Sequence, residues 1–387
     1  MTNVKPISKV VESIPASGIR AFFDIVSQME DVLSLGVGEP DFDTPWRASE
    51  AAIYSLERGR THYTSNYGML ELRTAISSYL KEREGLEYDP ANQVLITVGV
   101  SEGMDLAMRA ILNPGDEVIV PEPCYVSYKP CVQFAGGVPV AVPSYAENAF
   151  TVAPEQIEAA ITDNTKAILI SYPTNPTGAV AAREILQKIV ELACEHDLFV
   201  ISDEIYDRLT YDSRHTCVPT LPGAYERTIL LNGFSKAYAM TGWRIGYAAS
   251  SPDIIETMMK IHQYTMMCAP TMAQIAALEA IQHCYEESQE MVEQFNARRR
   301  VMVKGLNDAG LDCLMPGGAF YAFPSIEATG LSSEEFCERL LFEEKVAAVP
   351  GGAFGDCGKG HIRCCYATSI DKIEQAVERI GRFVKKL

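Results

Sequence analysis

The chain is 387 residues long, carries a formal charge of -18 and is 47% hydrophobic. A chain of this length usually exceeds one compact core, so two domains, or one large domain with an appendage, are expected of a folded globular protein. The negative charge disfavours broad binding to nucleic acid or to an anionic lipid surface.

The 11 cysteines are odd in number and scattered, which is typical of reduced thiols in an intracellular protein rather than of a disulfide scaffold. The first residues lack the long apolar core of a secretory signal, and no later run approaches the length of a membrane span. We therefore expect a cytoplasmic protein without a membrane or nucleic-acid partner.

Short apolar runs rich in β-branched residues alternate with longer amphipathic stretches, such as residues 182–196, through the first two thirds of the chain. This alternation predicts an α/β fold, in which helices cover both faces of a mostly parallel sheet. The predicted strands are 94–98, 117–121, 167–171, 198–202, 228–231 and 245–249.

The pattern changes after residue 252, where apolar residues recur at helical spacing through about residue 306. Beyond this helical region, short strand candidates at 318–323, 346–349 and 361–365 lie among helical segments and predict a smaller α+β unit. We expect a large domain over residues 46–281. The small domain would combine residues 1–45 with residues 282–387.

Polar residues cluster where the predicted strands end, which is where open α/β sheets bind ligands. Lys236 follows one strand among small and aromatic neighbours, and such a lysine can lose its proton and act as a nucleophile. An isolated lysine is more often a solvated surface residue, but Arg244 follows eight positions later, and Asp203 and Tyr206 follow an earlier strand. The four segments that carry this pattern are 172–178, 202–206, 234–240 and 241–247.

This pattern resembles the class I and II aminotransferases, which are fold-type I enzymes that use pyridoxal 5'-phosphate (PLP). The resemblance runs nearly end to end and includes Gly-Val-Gly-Glu-Pro-Asp-Phe at 36–42 and His-Ile-Arg at 361–363. It implies a large PLP-binding domain with a mostly parallel seven-stranded sheet, flanked by helices, and a smaller α+β domain. It also implies an amino acid and a 2-oxo acid as small-molecule partners.

The resemblance implies roles around the cofactor ring. Lys236 would form the Schiff base with PLP and move the substrate α-proton, while Asp203 would keep the pyridine nitrogen protonated. Asn175 and Tyr206 would hydrogen-bond the phenolic oxygen of the ring. Tyr125 would stack on the ring, although by itself a tyrosine there is equally consistent with ordinary packing.

A second group of residues would hold the cofactor phosphate. Arg244 matches the phosphate-binding arginine of the family. Gly233 stands where many relatives carry a phosphate-binding serine, so that contact is absent or replaced, and Ser235 is a weaker candidate. Residues at the predicted start of a helix would complete the phosphate site through their backbone N–H groups, namely Val100, Ser101 and Glu102.

A third group would bind the substrate. Arg363 matches the arginine that grips the α-carboxylate in a bidentate pairing, and Gly38, Asn175 and Ile19 are further candidates. Tyr63 resembles the tyrosine that reaches the cofactor phosphate of the neighbouring subunit. A homodimer with shared active sites is therefore implied.

These assignments predict a ping-pong aminotransferase of amino-acid biosynthesis, with 2-oxoglutarate as the expected acceptor. Residues 17–20 and 260–264 resemble the subgroup of aromatic, aspartate and N-acetyl-diaminopimelate aminotransferases, which favours an aromatic or aspartate donor. C–S lyases and aminocyclopropane-carboxylate synthases share the cofactor residues and stay open as alternatives; a non-catalytic PLP-sensing domain is disfavoured by the charge. No metal site is predicted, because neighbouring residues of the strand 361–365 point to opposite faces.

Overall fold

A computed structural model of the chain describes residues 7–15 and 29–387. The elements that precede the main sheet are α1 (Lys9–Ser13), β1 (Leu33–Ser34), α2 (Trp46–Glu57) and α3 (Leu70–Glu84). α3 ends at Gly85, which adopts the left-handed conformation at φ 74°. Glycine tolerates this conformation because it has no Cβ, and its N–H then closes the last turn of the helix.

A seven-stranded sheet forms the centre of the fold, in the order β2-β8-β7-β6-β5-β3-β4. Five of its strands, β3 to β7, are parallel, whereas β8 is antiparallel to both β2 and β7. The mostly parallel sheet expected from the sequence is confirmed. The strands are β2 (Val94–Thr97), β3 (Glu117–Glu122), β4 (Val138–Pro143), β5 (Thr165–Ile170), β6 (Phe199–Asp203), β7 (Thr228–Gly233) and β8 (Gly246–Ala249).

The helical region predicted after residue 252 is divided into three helices. Pro270 immediately precedes the second helix, and a proline cannot continue a helix from its N-terminal side because its ring clashes with the preceding turn. Cys284 separates the second helix from the third. The helices that follow the first strand of the sheet are α4 (Gly99–Ile111), α5 (Tyr128–Phe134), α6 (Pro154–Ala160), α7 (Arg183–Glu195), α8 (Pro252–Thr265), α9 (Thr271–His283) and α10 (Tyr285–Asp308).

Both faces of the sheet are covered by helices. Along β7, Ile229 and Leu231 pack towards α4 and α8, while Leu230 between them packs towards α2, α3 and α9. This follows from the two-residue period of a strand, which sends successive side chains to opposite faces. The central strands are therefore buried on both sides, as their continuous apolar sequence predicted.

A smaller unit is built from the C-terminal residues and one segment near the start of the chain. β9, β11 and β12 form an antiparallel three-stranded sheet, and β1 pairs in parallel with β10. The backbone N–H of Cys365 donates to the carbonyl of Leu35 (2.7 Å), which brings residues 36–38 beside β12. The elements are β9 (Tyr321–Ala322), α11 (Ser333–Glu344), β10 (Val346–Ala347), β11 (Val349–Pro350), β12 (Ile362–Cys365) and α12 (Ile370–Val384).

The strand β4 was not located from the sequence, although the resemblance implied seven strands. It contains Pro139 and Pro143, which weaken any strand pattern, and it lies at the edge of the sheet. An edge strand tolerates proline because only one of its sides joins the hydrogen-bonded ladder. Across the described ranges, no helix is both long and apolar enough to cross a membrane.

Candidate active site

A cavity of about 620 Å³ lies at the carboxyl ends of the central strands, where the smaller unit meets the large sheet. The loops that follow β2, β3, β5, β6 and β7 line it on one side, and residues 36–38, β9 and β12 line it on the other. The structure thus brings together residues that are far apart in the chain. The sequence-predicted residues in its lining are Gly38, Val100, Ser101, Tyr125, Asn175, Asp203, Tyr206, Ser235, Lys236, Arg244 and Arg363.

Lys236 projects into this cavity from the loop after β7. Its Nζ donates a hydrogen bond to the backbone carbonyl of Gly38, 2.6 Å away. Burial lowers the pKa of Lys236 to about 8, and the positive charges of Arg363 and Arg244 contribute to the same shift. A substantial fraction of this amine is therefore neutral near physiological pH, as a nucleophile requires.

Asp203 ends β6 at the back of the cavity and is 6% exposed. Burial raises the pKa of its carboxyl to about 6, although hydrogen bonds from Tyr128 and from the N–H of Ile205 act in the opposite direction. The Tyr128 hydroxyl lies 2.7 Å from Oδ2, and the Ile205 amide lies 3.2 Å from Oδ1. Burial makes ionisation of this carboxylate unfavourable unless a positive charge lies nearby. The carboxylate is therefore suited to a cationic partner in the cavity.

Tyr128 was missed by the sequence analysis. It begins α5, is 3% exposed and also lies 2.9 Å from the Ser171 hydroxyl. Its position three residues after the candidate Tyr125 was the signal in the sequence that could have found it. Its contact with Asp203 spans 75 positions of the chain and therefore depends on the tertiary fold.

Arg363 lies on β12 and is 3% exposed. Its Nη1 donates to Oδ1 of Asn175 (2.8 Å) and its Nη2 donates to the carbonyl of Gly36 (2.6 Å). The guanidinium also lies 4.6 Å from the ring centroid of Tyr321. None of the described carboxylates pairs with this buried cation, whose Nε has no hydrogen-bond partner in the described part of the chain. It is therefore available to bind an anion.

The hydroxyl oxygens of Tyr206 and Tyr321, two residues of the cavity lining, lie 2.8 Å apart and share a hydrogen bond. Burial raises the pKa of Tyr206 well above its usual value, so its hydroxyl stays protonated and can donate a hydrogen bond. A Cβ added to Gly38 would lie 2.5 Å from the Tyr321 hydroxyl, which explains the glycine. Tyr321 was also missed, although it lies in the predicted strand 318–323.

Arg244 lies beside the start of α4. Its Nη1 donates to the carbonyl of Thr241 (3.0 Å), and a Cβ on Gly99 would lie 2.7 Å from its Nη2. Glycine at position 99 therefore allows the guanidinium to approach the first turn of the helix. The first N–H groups of an α-helix have no acceptor within the helix, so these amides and Arg244 form a site suited to an anion.

Close packing explains why Gly233 stands where many relatives carry a phosphate-binding serine. A Cβ at this position would lie 2.9 Å from Cα of Gly246 and 3.3 Å from Cγ2 of Val100. The close packing of β7, β8 and the start of α4 thus leaves no room for a side chain. A serine at this position would require these neighbours to move.

Two of the sequence-predicted residues that the structure describes, Glu102 and Tyr63, are not in the cavity lining. The side chain of Glu102 accepts hydrogen bonds from the Val98 amide and from His262, so only its backbone can serve the cavity. Tyr63 is 80% exposed on the surface. Ile19 lies outside the described residues.

The lining as a whole fits PLP. It offers a lysine with a lowered pKa, a buried carboxylate, an aromatic residue at Tyr125 and two arginines, of which Arg244 lies beside free helix amides and Arg363 faces the opposite side. An aldehyde, a pyridine ring, a phosphate and a substrate carboxylate match these groups in chemistry. The described residues include no group of three or more His, Cys, Asp or Glu that could hold a metal ion.

The family model described as "Aminotransferase class I and II" matches residues 30–380. The chain belongs to the class I and II aminotransferase family. It is 53% identical to the putative aminotransferase YugH of Bacillus subtilis and 44% identical to the aspartate aminotransferase of Pyrococcus abyssi, with 98% of each chain covered in both cases. The structure of an aromatic aminotransferase from Pyrococcus horikoshii superposes with a TM-score of 0.90 at 44% identity, covering 94% of this chain and 99% of that one.

The aminotransferase is a PLP-dependent enzyme that uses amino acids and 2-oxo acids, as members of this family with this fold do. The expected family, fold type, enzyme class and cofactor are confirmed. When bound, PLP supplies an aldehyde that captures an amino group and a ring that withdraws electrons from the substrate Cα. The identity of the amino acid, and the role of each residue in the cavity, belong to the proposals below.

Proposed function

We propose that the cavity residues act in the roles that the family resemblance implies. Lys236 would hold the cofactor through its side-chain amine and would also move the proton at the substrate Cα. Asp203 would pair with the protonated ring nitrogen, Tyr125 would stack on the ring, and Tyr206 and Asn175 would donate hydrogen bonds to the phenolic oxygen. The support is the single cavity that contains all of these side chains.

The proposed phosphate site consists of Arg244, the first-turn amides of α4 and, more weakly, the hydroxyl of Ser235. Val100 and Ser101 line the cavity with these groups, and Glu102 contributes only its backbone. The proposed substrate carboxylate lies against Arg363, with Gly38 and Asn175 beside it. A buried arginine without a carboxylate partner among the described residues supports this placement, because a bound anion would offset the cost of burying the charge. Ile19 stays a prediction.

The amino donor is proposed to be aromatic, with aspartate as the second choice. The part of the lining beyond the proposed cofactor residues is largely apolar and includes Val37, Val126 and Ile205. The cations that the structure describes in this lining are Lys236, Arg244 and Arg363, and each already has a proposed role. A second carboxylate would therefore meet no further cation among the described lining residues, whereas an aromatic side chain gains from apolar contact. Both aspartate and aromatic aminotransferases occur among the similar proteins and structures.

The acceptor is proposed to be 2-oxoglutarate. A panel of amino donors supplied with 2-oxoglutarate, with glutamate measured as the product, tests the proposed reaction. We expect phenylalanine and tyrosine to give higher kcat/KM than aspartate. Release of pyruvate and ammonia from cysteine-type substrates without any glutamate would contradict transamination in favour of a lyase.

The enzyme is proposed to be a homodimer with shared active sites, as the resemblance implies through Tyr63. This side chain is exposed and outside the cavity of its own chain, which is consistent with use by a second copy. Its loop is held to the start of α9 by a hydrogen bond from Thr271 to the carbonyl of His62 (2.7 Å). Large apolar side chains are exposed on the same and neighbouring elements and would be buried in a dimer, namely Trp46, Ile53, Tyr54, Tyr264 and Met266.

The proposed domain division places residues 46–281 in a large domain and residues 1–45 and 282–387 in a small one. All seven strands of the main sheet lie between residues 94 and 249, which supports this division. β1 pairs with β10 and therefore groups part of the N-terminal segment with the C-terminal unit. A cytoplasmic location and a role in amino-acid biosynthesis complete the proposal.

A further inference from the structure

A buried hydrogen bond between a histidine and a glutamate lies directly behind the start of α4. His262 on α8 contacts Glu102 on α4, with 2.7 Å between Nδ1 and Oε1. The His262 side chain is fully buried and the Glu102 side chain is 9% exposed. Neither side chain lines the cavity, and none of the roles proposed above uses this pair.

Glu102 satisfies one backbone amide at the start of α4. Val98 precedes the helix and has no side-chain acceptor, whereas Ser, Thr, Asn and Asp are the usual residues at this position. The second carboxylate oxygen of Glu102 accepts the backbone N–H of Val98 instead. This contact resembles the return contact of a capping box, in which a glutamate satisfies an amide at the helix start.

The carboxylate must also point away from the cavity. A glutamate in the first turn of a helix that binds a phosphate would repel that phosphate if it pointed towards it. Oε1 is instead held towards α8 by His262, while Val100 and Ser101 face the cavity. The contact with His262 therefore holds one oxygen of Glu102 on the side of α4 that faces α8.

We propose that His262 is a positioning residue for the cofactor phosphate, which acts by holding Glu102 so that the first-turn amides of α4 face the phosphate. The inference rests on the proposed placement of the phosphate at α4 and Arg244. It assigns a function to His262 alone within the segment 260–264, a segment that resembles a subgroup of the family but has no role in the chemistry proposed above.

The variants H262L and H262N provide the test, because leucine and asparagine have similar sizes but only asparagine can replace the Nδ1 donor. Apoenzyme of the full chain is titrated with PLP and, separately, with pyridoxal, which lacks the phosphate. We expect H262L to weaken PLP binding roughly tenfold while its affinity for pyridoxal changes less than about twofold. H262N should restore most of the affinity for PLP.

K260Q, which breaks an exposed ion pair with Glu256 on the same helix, is the matched control and should bind PLP like the wild type.

Thermal unfolding of each apoenzyme checks that the variants fold. If H262L does not fold, H262N is compared with H262Q, whose amide replaces the Nε2 rather than the Nδ1 position, and H262Q should bind PLP more weakly. Unchanged PLP binding in H262L, or an equal loss of PLP and pyridoxal affinity, would overturn the role of His262. If the wild type itself does not prefer PLP over pyridoxal, the proposed phosphate site fails and the inference fails with it.

Discussion

Arg363 on β12 donates a hydrogen bond from Nη1 to Oδ1 of Asn175, 2.8 Å away, although 188 positions separate the two residues in the chain. The first residue is the proposed anchor of the substrate carboxylate, and the second is a proposed contact of the cofactor ring. The contact therefore connects the small sheet to the loop after β5. A substrate bound by Arg363 would be oriented relative to the ring through this hydrogen bond.

The variant R363K tests this orientation. Lysine carries the same charge but cannot contact Asn175, Gly36 and a carboxylate in the planar arrangement of a guanidinium. We expect kcat/KM for the amino donor to fall on the order of 100-fold, mainly through KM, while the visible absorption of bound PLP is unchanged. R382K on the surface of α12 is the control and should keep wild-type kinetics. Loss of PLP from R363K would contradict a role limited to the substrate.

Tyr128 provides a second prediction, because its hydrogen bond lowers the pKa of Asp203. The variant Y128F removes this bond, so the pKa of Asp203 should rise and the carboxylate should protonate at higher pH. We expect the acid limb of the kcat profile to move to higher pH by up to about one unit.

The control for Y128F is Y172F, which removes a buried hydrogen bond from the Val152 amide (3.1 Å) but not a contact with Asp203. Its acid limb should coincide with that of the wild type. An acid limb that moves equally in both variants, or a Y128F profile that is lower but not displaced, would assign Tyr128 to packing alone.

The apoenzyme should be stabilised by the variant D203N. Burial raises the folded-state pKa of Asp203 to about 6, from an ordinary value of 3.8. The folded chain therefore binds the proton more tightly than the unfolded chain, and stability is lost as pH rises between these two values. Asparagine does not ionise, so D203N apoenzyme should exceed the wild type by on the order of 2 to 3 kcal/mol at pH 7.5, and by about half of that at pH 5.

Urea unfolding of both apoenzymes at the two pH values measures this difference. The same variant should lose nearly all transaminase activity, because it cannot supply the negative charge that keeps the ring nitrogen protonated. A stability difference that is independent of pH would show that the ionisation of Asp203 is not its source.

Lys236 should react with PLP in a characteristic pH range. Burial lowers its pKa to about 8, and only the neutral amine attacks the aldehyde. The rate of PLP association with apoenzyme, followed by visible absorption, should therefore rise through about pH 8 and then level off. Nα-acetyl-lysine amide is the reference and should show no plateau in this range.

Borohydride reduction should remove the visible band and label Lys236, and K236A should take no label.

Hybrid dimers test the proposed role of Tyr63. If Tyr63 of one subunit serves the site of the other, a hybrid of Y63A and K236A contains one native site and one site with both defects. Random mixing of the two weakly active variants should then recover about one quarter of the wild-type activity. No recovery on mixing, with subunit exchange verified by mass spectrometry, would exclude a shared site.

The sequence by itself determined the sheet and the strand ends at which the chemistry lies. Continuous apolar runs identified six of the seven main strands, because buried parallel strands are apolar on both faces. Asp203 ends one of those strands, and Asn175 and Lys236 lie in the loops after two others. Because these strands are parallel, their shared direction predicts that the three residues meet at one edge of the sheet. The exception among the strands was β4, whose prolines are tolerated only because it lies at the edge.

Only the tertiary structure decided which side chains touch. Tyr128 reaches Asp203 across 75 positions, Tyr206 reaches Tyr321 across 115, and His262 reaches Glu102 across 160. Periodicity reports which face of an element is buried but not which distant residue packs against it. The contacts that shift the pKa of Asp203 and that orient Arg363 and Glu102 depend on distances of about 3 Å. Such distances are set by how whole helices and strands pack together, and not by the spacing of residues along the chain.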